Sequence, residues 1–112
     1  VPAPSGAALH FASAVVDVPT GPGVVLGRAP ESSNGRRAVP VPGDAGTVSK
    51  THAEVHFDGT ALWLRDLHST NGTAVERGGV VMPVTAGEPA EVAFGDTVIL
   101  GAVRALVRER VS

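Results

Sequence analysis

The chain has 112 residues, which is enough for one domain with its own hydrophobic core. It contains no cysteine, so disulfide bonds, thiolate chemistry and cysteine-bound zinc are excluded. Its net charge of −2 disfavours a general nucleic-acid binder, and no apolar run is long enough to span a membrane.

The amino-terminal residues have the composition of a linker. The chain begins VPAPSG and does not begin with methionine. We therefore expect a linker over residues 1–8 and a domain over residues 9–112, taken from a longer protein. The apolar, β-branched segment 9–18 predicts one strand before a Pro/Gly-rich turn at 19–23, and 24–26 predicts a second, short strand.

The segment 29–48 is rich in turn residues and contains three prolines. Its Asn34-Gly35 pair is a turn signal, and the basic pair Arg36-Arg37 follows directly. Residues 38–41 predict a short edge strand, because proline is tolerated at a sheet edge and not in a central strand.

The pattern of the remaining residues predicts strands separated by turns. Residues 53–57 alternate apolar and polar side chains, which indicates a half-buried strand, and Asp58-Gly59 predicts a hairpin to a partner strand at 61–65. Gly78-Gly79 predicts a second hairpin between 74–75 and 80–82. Residues 91–94 and 97–100 predict a further strand pair around Gly95-Asp96, and 103–108 predict the last strand.

About ten short strands with no amphipathic helix indicate an all-β fold, a sandwich or a barrel. The hairpin at 53–65 is bracketed by two polar clusters, SKTH at 49–52 and DLHSTNGT at 66–73. A hairpin brings its two ends to the same edge of a sheet. We therefore expect the two clusters to meet there and to form a binding site built from loops.

Four motifs in this order resemble the forkhead-associated (FHA) domain family. They are Gly27-Arg28 after a strand, SKTH at 49–52, STNGT at 69–73 and GDTVILG at 95–101. The resemblance covers roughly residues 24–106. It implies an antiparallel β-sandwich of about eleven short strands, the FHA/SMAD-like fold, with ligand-binding loops at one end.

The resemblance also implies a function, which is recognition of phosphothreonine in partner proteins of Ser/Thr kinase signalling. By position, Arg28 would pair with the phosphate and Ser49 would donate its hydroxyl to it, with Lys50 adding charge. Thr70 would touch the phosphate or the threonine side chain, and Asn71 would hold the main chain of the ligand.

Three further residues would support the site rather than touch the ligand. His52 matches the family's structural histidine, and Gly27 and Gly72 would provide backbone shape. The partner would be a phosphothreonine-containing protein, such as a kinase substrate, or the parent protein's own linker. No cofactor, metal, nucleic acid or membrane insertion is expected, and the expected location is cytoplasmic.

The sequence departs from the family pattern in two places. Arg28 and Ser49 are 21 positions apart, further than is usual in the family, which indicates an insertion at 31–37. We assign Arg36 and Arg37 within it as candidates for a specificity loop. Lys50 stands where arginine is common, and lysine also binds phosphate, although not with two parallel bonds.

Three alternatives belong to other classes. Ser49, His52 and Asp66 contain the residue types of a hydrolase triad, but no nucleophile elbow surrounds Ser49, so we expect no enzyme. His52 and His56 could share a metal ion on a helix, but on a strand they would be about 13 Å apart. The third alternative is an FHA-fold interaction domain that uses a phospho-independent surface.

Overall fold

The structure is a computed structural model that describes residues 5–32, 35–43 and 45–110. Within these ranges the chain forms eleven strands and no helix. In chain order the strands are β1 (Gly6–His10), β2 (Val15–Pro19), β3 (Val24–Gly27), β4 (Arg37–Pro40), β5 (Ala53–Phe57), β6 (Leu62–Asp66), β7 (Thr73–Arg77), β8 (Val80–Pro83), β9 (Ala90–Val92), β10 (Thr97–Leu100) and β11 (Val103–Arg110). None of the described residues belongs to a helix long and apolar enough to cross a membrane.

The strands form two sheets that pack as a sandwich, which confirms the predicted fold class. The six-stranded sheet has the order β2-β1-β11-β10-β7-β8, and the five-stranded sheet has the order β4-β3-β5-β6-β9. The strand ladders are antiparallel except for β3 with β4, which is parallel. Strand β4 therefore begins beside the start of β3. Residues 33 and 34 of the predicted insertion at 31–37 lie outside the described ranges.

The core follows the period of two that the sequence shows. In β5, Ala53, Val55 and Phe57 are fully buried, and the partner strand β6 contributes Leu62 and Leu64. Burying a side chain of this size stabilises the fold by about 1.5–3 kcal/mol. The six-stranded sheet adds a matching set of buried side chains, among them Ala7, Leu9, Val18, Val98, Leu100, Ala105 and Val107.

The β5–β6 hairpin forms as predicted from Asp58-Gly59. The Asp58 carboxylate accepts the backbone N–H groups of Thr60 and Ala61, both at 2.8 Å, and the indole N–H of Trp63 at 2.9 Å. These bonds, the one from Ala61 foremost, lower the pKa of Asp58 to about 2. The turn fixes the register that brings the other ends of β5 and β6 together.

Two predicted boundaries near the amino terminus are wrong. The segment 9–18 is not one strand, because a turn closed by the Phe11 N–H donating to the Ala14 carbonyl (2.9 Å) divides it into β1 and β2. No Gly or Pro marks that turn. Strand β1 begins at Gly6, with Ala7 and Ala8 buried, so the predicted linker at 1–8 overlaps the domain. Residues 1–4 lie outside the described ranges.

The predicted pairing of 91–94 with 97–100 is also wrong. Strand β9 pairs with β6 in the five-stranded sheet, whereas β10 pairs with β7 and β11 in the six-stranded sheet. The turn between them crosses the sandwich. The Asp96 carboxylate holds this turn, because it accepts the Ala93 N–H at 2.8 Å and the Arg77 guanidinium at 2.6 Å. These bonds, the Arg77 side chain's foremost, outweigh the effect of burial and lower the pKa of Asp96.

Candidate functional site

Loops from both sheets meet at one end of the sandwich around an open pocket of about 210 Å³. The pocket is lined by Arg28, Gly46, Thr47, Val48, Ser49, Thr70 and Asn71. Arg28 follows β3, residues 46–49 precede β5, and Thr70 and Asn71 lie between β6 and β7. The two polar clusters of the sequence therefore come together as expected, and Arg28 joins them.

Arg28 presents an exposed guanidinium at this pocket. Its backbone N–H donates to the Ser49 carbonyl (2.9 Å), and the Ala29 N–H donates to the Lys50 carbonyl (3.1 Å), so two loops run side by side here. Gly27 permits this approach, because a Cβ at that position would lie only 2.0 Å from the Lys50 carbonyl oxygen. Within the described part of the chain, the Arg28 side chain has no hydrogen bond or ion pair, and its five donors are available to a ligand.

Ser49 and Thr70 are joined directly. The Thr70 N–H donates to Ser49 Oγ at 3.0 Å. This bond uses an acceptor position of the hydroxyl and leaves its hydrogen free to be donated elsewhere. The Thr70 side chain is exposed at the rim of the same pocket. The arrangement offers hydroxyl donors beside the Arg28 guanidinium.

Asn71 is held by the opposite wall of the pocket. One N–H of its Nδ2 donates to the Thr47 carbonyl at 2.8 Å. Its Oδ1 and second N–H are not used in any bond within the described chain. A carboxamide with one donor and one acceptor free matches the N–H and C=O of an extended peptide main chain.

His52 is fully buried behind these loops and connects two of them. The Ser49 N–H donates to His52 Nδ1 at 3.0 Å, and His52 Nε2 lies 2.9 Å from the Gly72 carbonyl oxygen. A backbone N–H can only donate and a carbonyl can only accept, so the ring is neutral with its hydrogen on Nε2. His52 therefore braces the loop of Ser49 against the loop of Asn71. Gly72 has φ of +82°, a left-handed conformation that favours glycine.

Asp66 is a site-supporting residue that sequence reasoning missed. Its buried carboxylate accepts the hydroxyl of Ser69, the Ser69 N–H at 3.1 Å and the hydroxyl of Thr73 at 2.6 Å. Burial alone would raise the pKa of Asp66, but these hydrogen bonds together outweigh it and lower the pKa. The carboxylate thereby shapes the turn that presents Thr70 and Asn71. The available signal was an aspartate in a turn segment, because aspartate side chains there accept hydrogen bonds from nearby backbone N–H groups.

Three of the predicted basic residues lie outside the pocket. Lys50 Nζ is 3.7 Å from Glu31 Oε1, with both side chains largely exposed. Arg36 Nε is 3.4 Å from Glu54 Oε2, and Arg37 donates to the Asp17 carbonyl at 3.0 Å.

Strand register places the two arginines far from the site. Arg37 is level with Val24, at the opposite end of β3 from Gly27. The expected specificity loop therefore does not reach the pocket through these side chains. Any effect on ligand choice stays a prediction, as does a contact of Lys50 with phosphate.

The residues of the hydrolase alternative do not form a triad. His52 Nδ1 receives the backbone N–H of Ser49, not its hydroxyl, and Asp66 is bonded to Ser69 and Thr73. No base therefore contacts the hydroxyl of Ser49 in the described chain. No group of three or more His, Asp or Glu side chains among the described residues is arranged to hold a metal ion.

Taken with the fold, this pocket defines an all-β binding module whose polar site is built from loops at one end of a sandwich. A family model for the FHA domain matches residues 24–101. The match spans more than half of the chain, and the chain belongs to the FHA domain family, which confirms the resemblance seen in its sequence.

Solved structures agree with this assignment. The FHA domain of FhaA, complexed with the intracellular domain of Rv3910, is 28% identical, with a TM-score of 0.66 over 91% of this chain and 99% of that chain. A second structure, from a structural and functional analysis of phosphothreonine-dependent FHA domain interactions, is also 28% identical, with a TM-score of 0.68 over 92% of this chain and 95% of that chain.

More distant similarity supports the fold alone. The FHA domain of an Arabidopsis thaliana hypothetical protein is 19% identical, with a TM-score of 0.72 over 99% of this chain and 91% of that chain. No curated protein sequence matches the chain.

Proposed function

We propose that this domain binds a phosphothreonine-containing segment of a partner protein in Ser/Thr kinase signalling. The observation that carries the proposal is the exposed Arg28 guanidinium, free of partners in the described chain, in one pocket with the hydroxyl of Ser49. A phosphate monoester has close to two negative charges at neutral pH and three acceptor oxygens. A planar guanidinium matches that group with two parallel bonds, and hydroxyls supply further donors.

The remaining pocket residues fit a peptide and not only a free phosphate. The carboxamide of Asn71 has one donor and one acceptor free, which suits the main chain of the ligand. Val48 is the apolar side chain among the residues that line the pocket, and we assign it to the threonine methyl group. Phosphothreonine-dependent interaction of a 28% identical FHA domain supports the same reading.

A cytoplasmic location is part of the proposal. Protein kinases act on threonine inside the cell, and a reader of phosphothreonine works where its ligand is made. On this view the domain acts as an interaction module that brings its parent protein to a phosphorylated partner, or to the parent's own phosphorylated linker.

The proposal is tested by calorimetric titration with a phosphothreonine peptide selected from a library. The matched controls are the same peptide unphosphorylated and the same peptide with phosphoserine. We expect binding only when the peptide is phosphorylated, and a four-fold to hundred-fold preference for phosphothreonine. Burying one methyl group is worth about 0.8 kcal/mol, and an unfilled pocket adds to the penalty.

Two results would count against the proposal in different ways. Equal affinity for phosphothreonine and phosphoserine would remove the role of the methyl group. Equal affinity for phosphorylated and unphosphorylated peptide would remove phosphate recognition and favour a phospho-independent surface.

A further inference from the structure

Thr47 lies where three loops of the binding end meet. Its carbonyl accepts the Asn71 carboxamide at 2.8 Å, and its hydroxyl Oγ1 accepts the Ala102 N–H at 2.8 Å. Ala102 belongs to the turn between β10 and β11, for which the sequence predicted no role in ligand binding. One residue therefore links the β10–β11 turn to the side chain assigned to the main chain of the ligand.

We propose that Thr47 is a positioning residue that sets the orientation of the Asn71 carboxamide, and that the β10–β11 turn holds Thr47 in place for this role. This inference rests on the proposed function, because it specifies how the same pocket recognises the peptide main chain.

The β10–β11 turn and the loop of Thr47 lie so close together that position 101 has room only for glycine. Gly101 has φ of +60°, and a Cβ there would lie 2.5 Å from the Thr47 carbonyl oxygen and 2.8 Å from Thr47 Oγ1. Neither loop can shift toward the other, so the Thr47 backbone is confined from the Gly101 side. The Gly101 N–H donates to the Gly72 carbonyl at 3.1 Å. The turn thus contacts the pocket both at Thr47 and directly behind Asn71.

The bond to Thr47 determines the direction in which the Asn71 carboxamide points. A donated bond to the Thr47 carbonyl fixes the plane of the Asn71 side chain, so its free N–H and Oδ1 point in set directions. The Thr47 carbonyl is itself fixed by the Ala102 bond to the same residue's hydroxyl. Without that bond Thr47 loses its side-chain attachment to the β10–β11 turn, and the acceptor of the carboxamide is held less firmly.

The same geometry also allows a direct contact between Thr47 and the phosphate. The experiment must distinguish that contact from a positioning role. Thr47 Oγ1 uses one of its two lone pairs for Ala102 and keeps its hydrogen, so the hydroxyl could also donate directly to a phosphate. A direct contact would affect a free phosphate and a phosphopeptide alike. A positioning role acts through Asn71 and affects only a ligand that has a main chain.

The experiment uses four variants of the protein: Thr47→Val, which keeps the shape and removes the acceptor, Thr47→Ser, which keeps the acceptor, Asn71→Ala, and Thr47→Val combined with Asn71→Ala. Thr85→Val is the matched control, since Thr85 is an exposed threonine in the β8–β9 connection. Each variant is titrated with the phosphothreonine peptide by calorimetry and with inorganic phosphate by NMR. The side-chain NH₂ signals of Asn71 are also recorded without ligand.

We expect Thr47→Val to weaken peptide binding by about three- to tenfold, the usual worth of one hydrogen bond. Inorganic phosphate should bind it as it binds wild type. Thr47→Ser should bind the peptide within twofold of wild type, and Thr85→Val should bind it as wild type does. In the Asn71→Ala background, Thr47→Val should have no further effect, since the group that it positions is gone.

Equal loss of phosphate and peptide affinity would overturn the inference in favour of a direct contact, and unchanged peptide affinity in Thr47→Val would overturn it outright. If wild type does not bind the phosphopeptide at all, the proposed function fails, and the inference is decided by the unliganded signals. The Asn71 NH₂ pair should then move toward free-amide positions in Thr47→Val and stay in place in Thr47→Ser. An unmoved pair in Thr47→Val would refute the inference.

Discussion

Arg28 offers the sharpest test at the scale of the residue, because its side chain is exposed and makes no bond within the described chain. Arg28→Ala should therefore leave the melting temperature nearly unchanged, as surface substitutions usually stay within about 0.5 kcal/mol. Binding should fall at least about a hundredfold, since each charge-assisted bond is worth about 1.5–3 kcal/mol. Calorimetry and thermal melting measure the two effects.

Arg108→Ala is the control for that variant, because Arg108 is an exposed arginine on β11, in the six-stranded sheet. It should bind the phosphopeptide as wild type does. Near wild-type affinity of Arg28→Ala would show that the phosphate-reader assignment is wrong for this chain.

His52 should behave in the opposite way, because it is buried and bonded on both ring nitrogens. His52→Ala leaves the Ser49 N–H without its acceptor and opens a cavity, so the free energy of unfolding should fall by about 1–3 kcal/mol or more. Binding should weaken as well, since the loops of Ser49 and Asn71 lose their brace. Urea denaturation and peptide titration check both, and a variant with wild-type stability would contradict the bracing role.

The pocket-lining residues that the sequence predicted differ in one physical respect from Asp66 and Thr47, which it missed. Arg28, Ser49, Thr70 and Asn71 line the pocket, and short motifs in the sequence placed them there. Asp66 and Thr47 act through contacts inside the fold, and those contacts depend on which turn lies beside which.

Asp66 is a single residue that determines the shape of a whole turn, because its carboxylate organises the turn between β6 and β7. Asp66→Asn keeps the shape but replaces one acceptor oxygen with a donor, so at least one of the bonds from Ser69 and Thr73 must fail. We expect a loss of about 1–3 kcal/mol in the free energy of unfolding at pH 7, with weaker peptide binding.

The pH dependence of that loss follows from the lowered pKa of Asp66, caused by hydrogen bonds that outweigh its burial. A carboxyl group whose pKa is lower in the folded state stabilises the fold above its unfolded pKa, about 3.9. That contribution disappears as pH falls through the lower native value. The gap between wild type and Asp66→Asn in urea denaturation should therefore be constant from pH 7 to pH 5 and narrow below about pH 4. A gap that narrows already near pH 6 would contradict this account.

For the strands, the alternation of apolar and polar residues and the turn residues gave correct predictions where these two signals agree. The alternation in 53–57 gave β5, and Asp58-Gly59 and Gly78-Gly79 gave two hairpins. The turn at 11–14 was missed because backbone bonding alone forms it. The pairing of β9 with β10 was mispredicted because a Gly-Asp turn looks the same whether it joins two strands of one sheet or crosses between sheets.

At the scale of the whole molecule, the site depends on how the two sheets pack. Arg28 and Ser49 lie on loops of the five-stranded sheet, whereas Asn71 leads into β7 and Ala102 follows β10 in the six-stranded sheet. The hydrogen bond from Thr70 to Ser49 and that from Asn71 to Thr47 join the two sides. No local pattern in the sequence encodes the strand order that makes these bonds, and the pocket geometry could not be predicted without it.

Phosphopeptide affinity should itself depend on pH, because the second pKa of the phosphate is about 6. Arg28 and the hydroxyl donors favour the dianion, and protonation of the phosphate removes one charge and one acceptor. We expect affinity to be nearly constant above pH 7 and about tenfold weaker at pH 5 than at pH 7.5. The lowered pKa values of Asp66 and Asp96 keep these two carboxylates ionised over this range. Calorimetry across the range measures the affinity, and melting curves at both ends check the fold. A flat affinity with an unchanged melting temperature would mean that the pocket does not distinguish the dianion from the monoanion, and that the Arg28 guanidinium does not contact the phosphate as proposed.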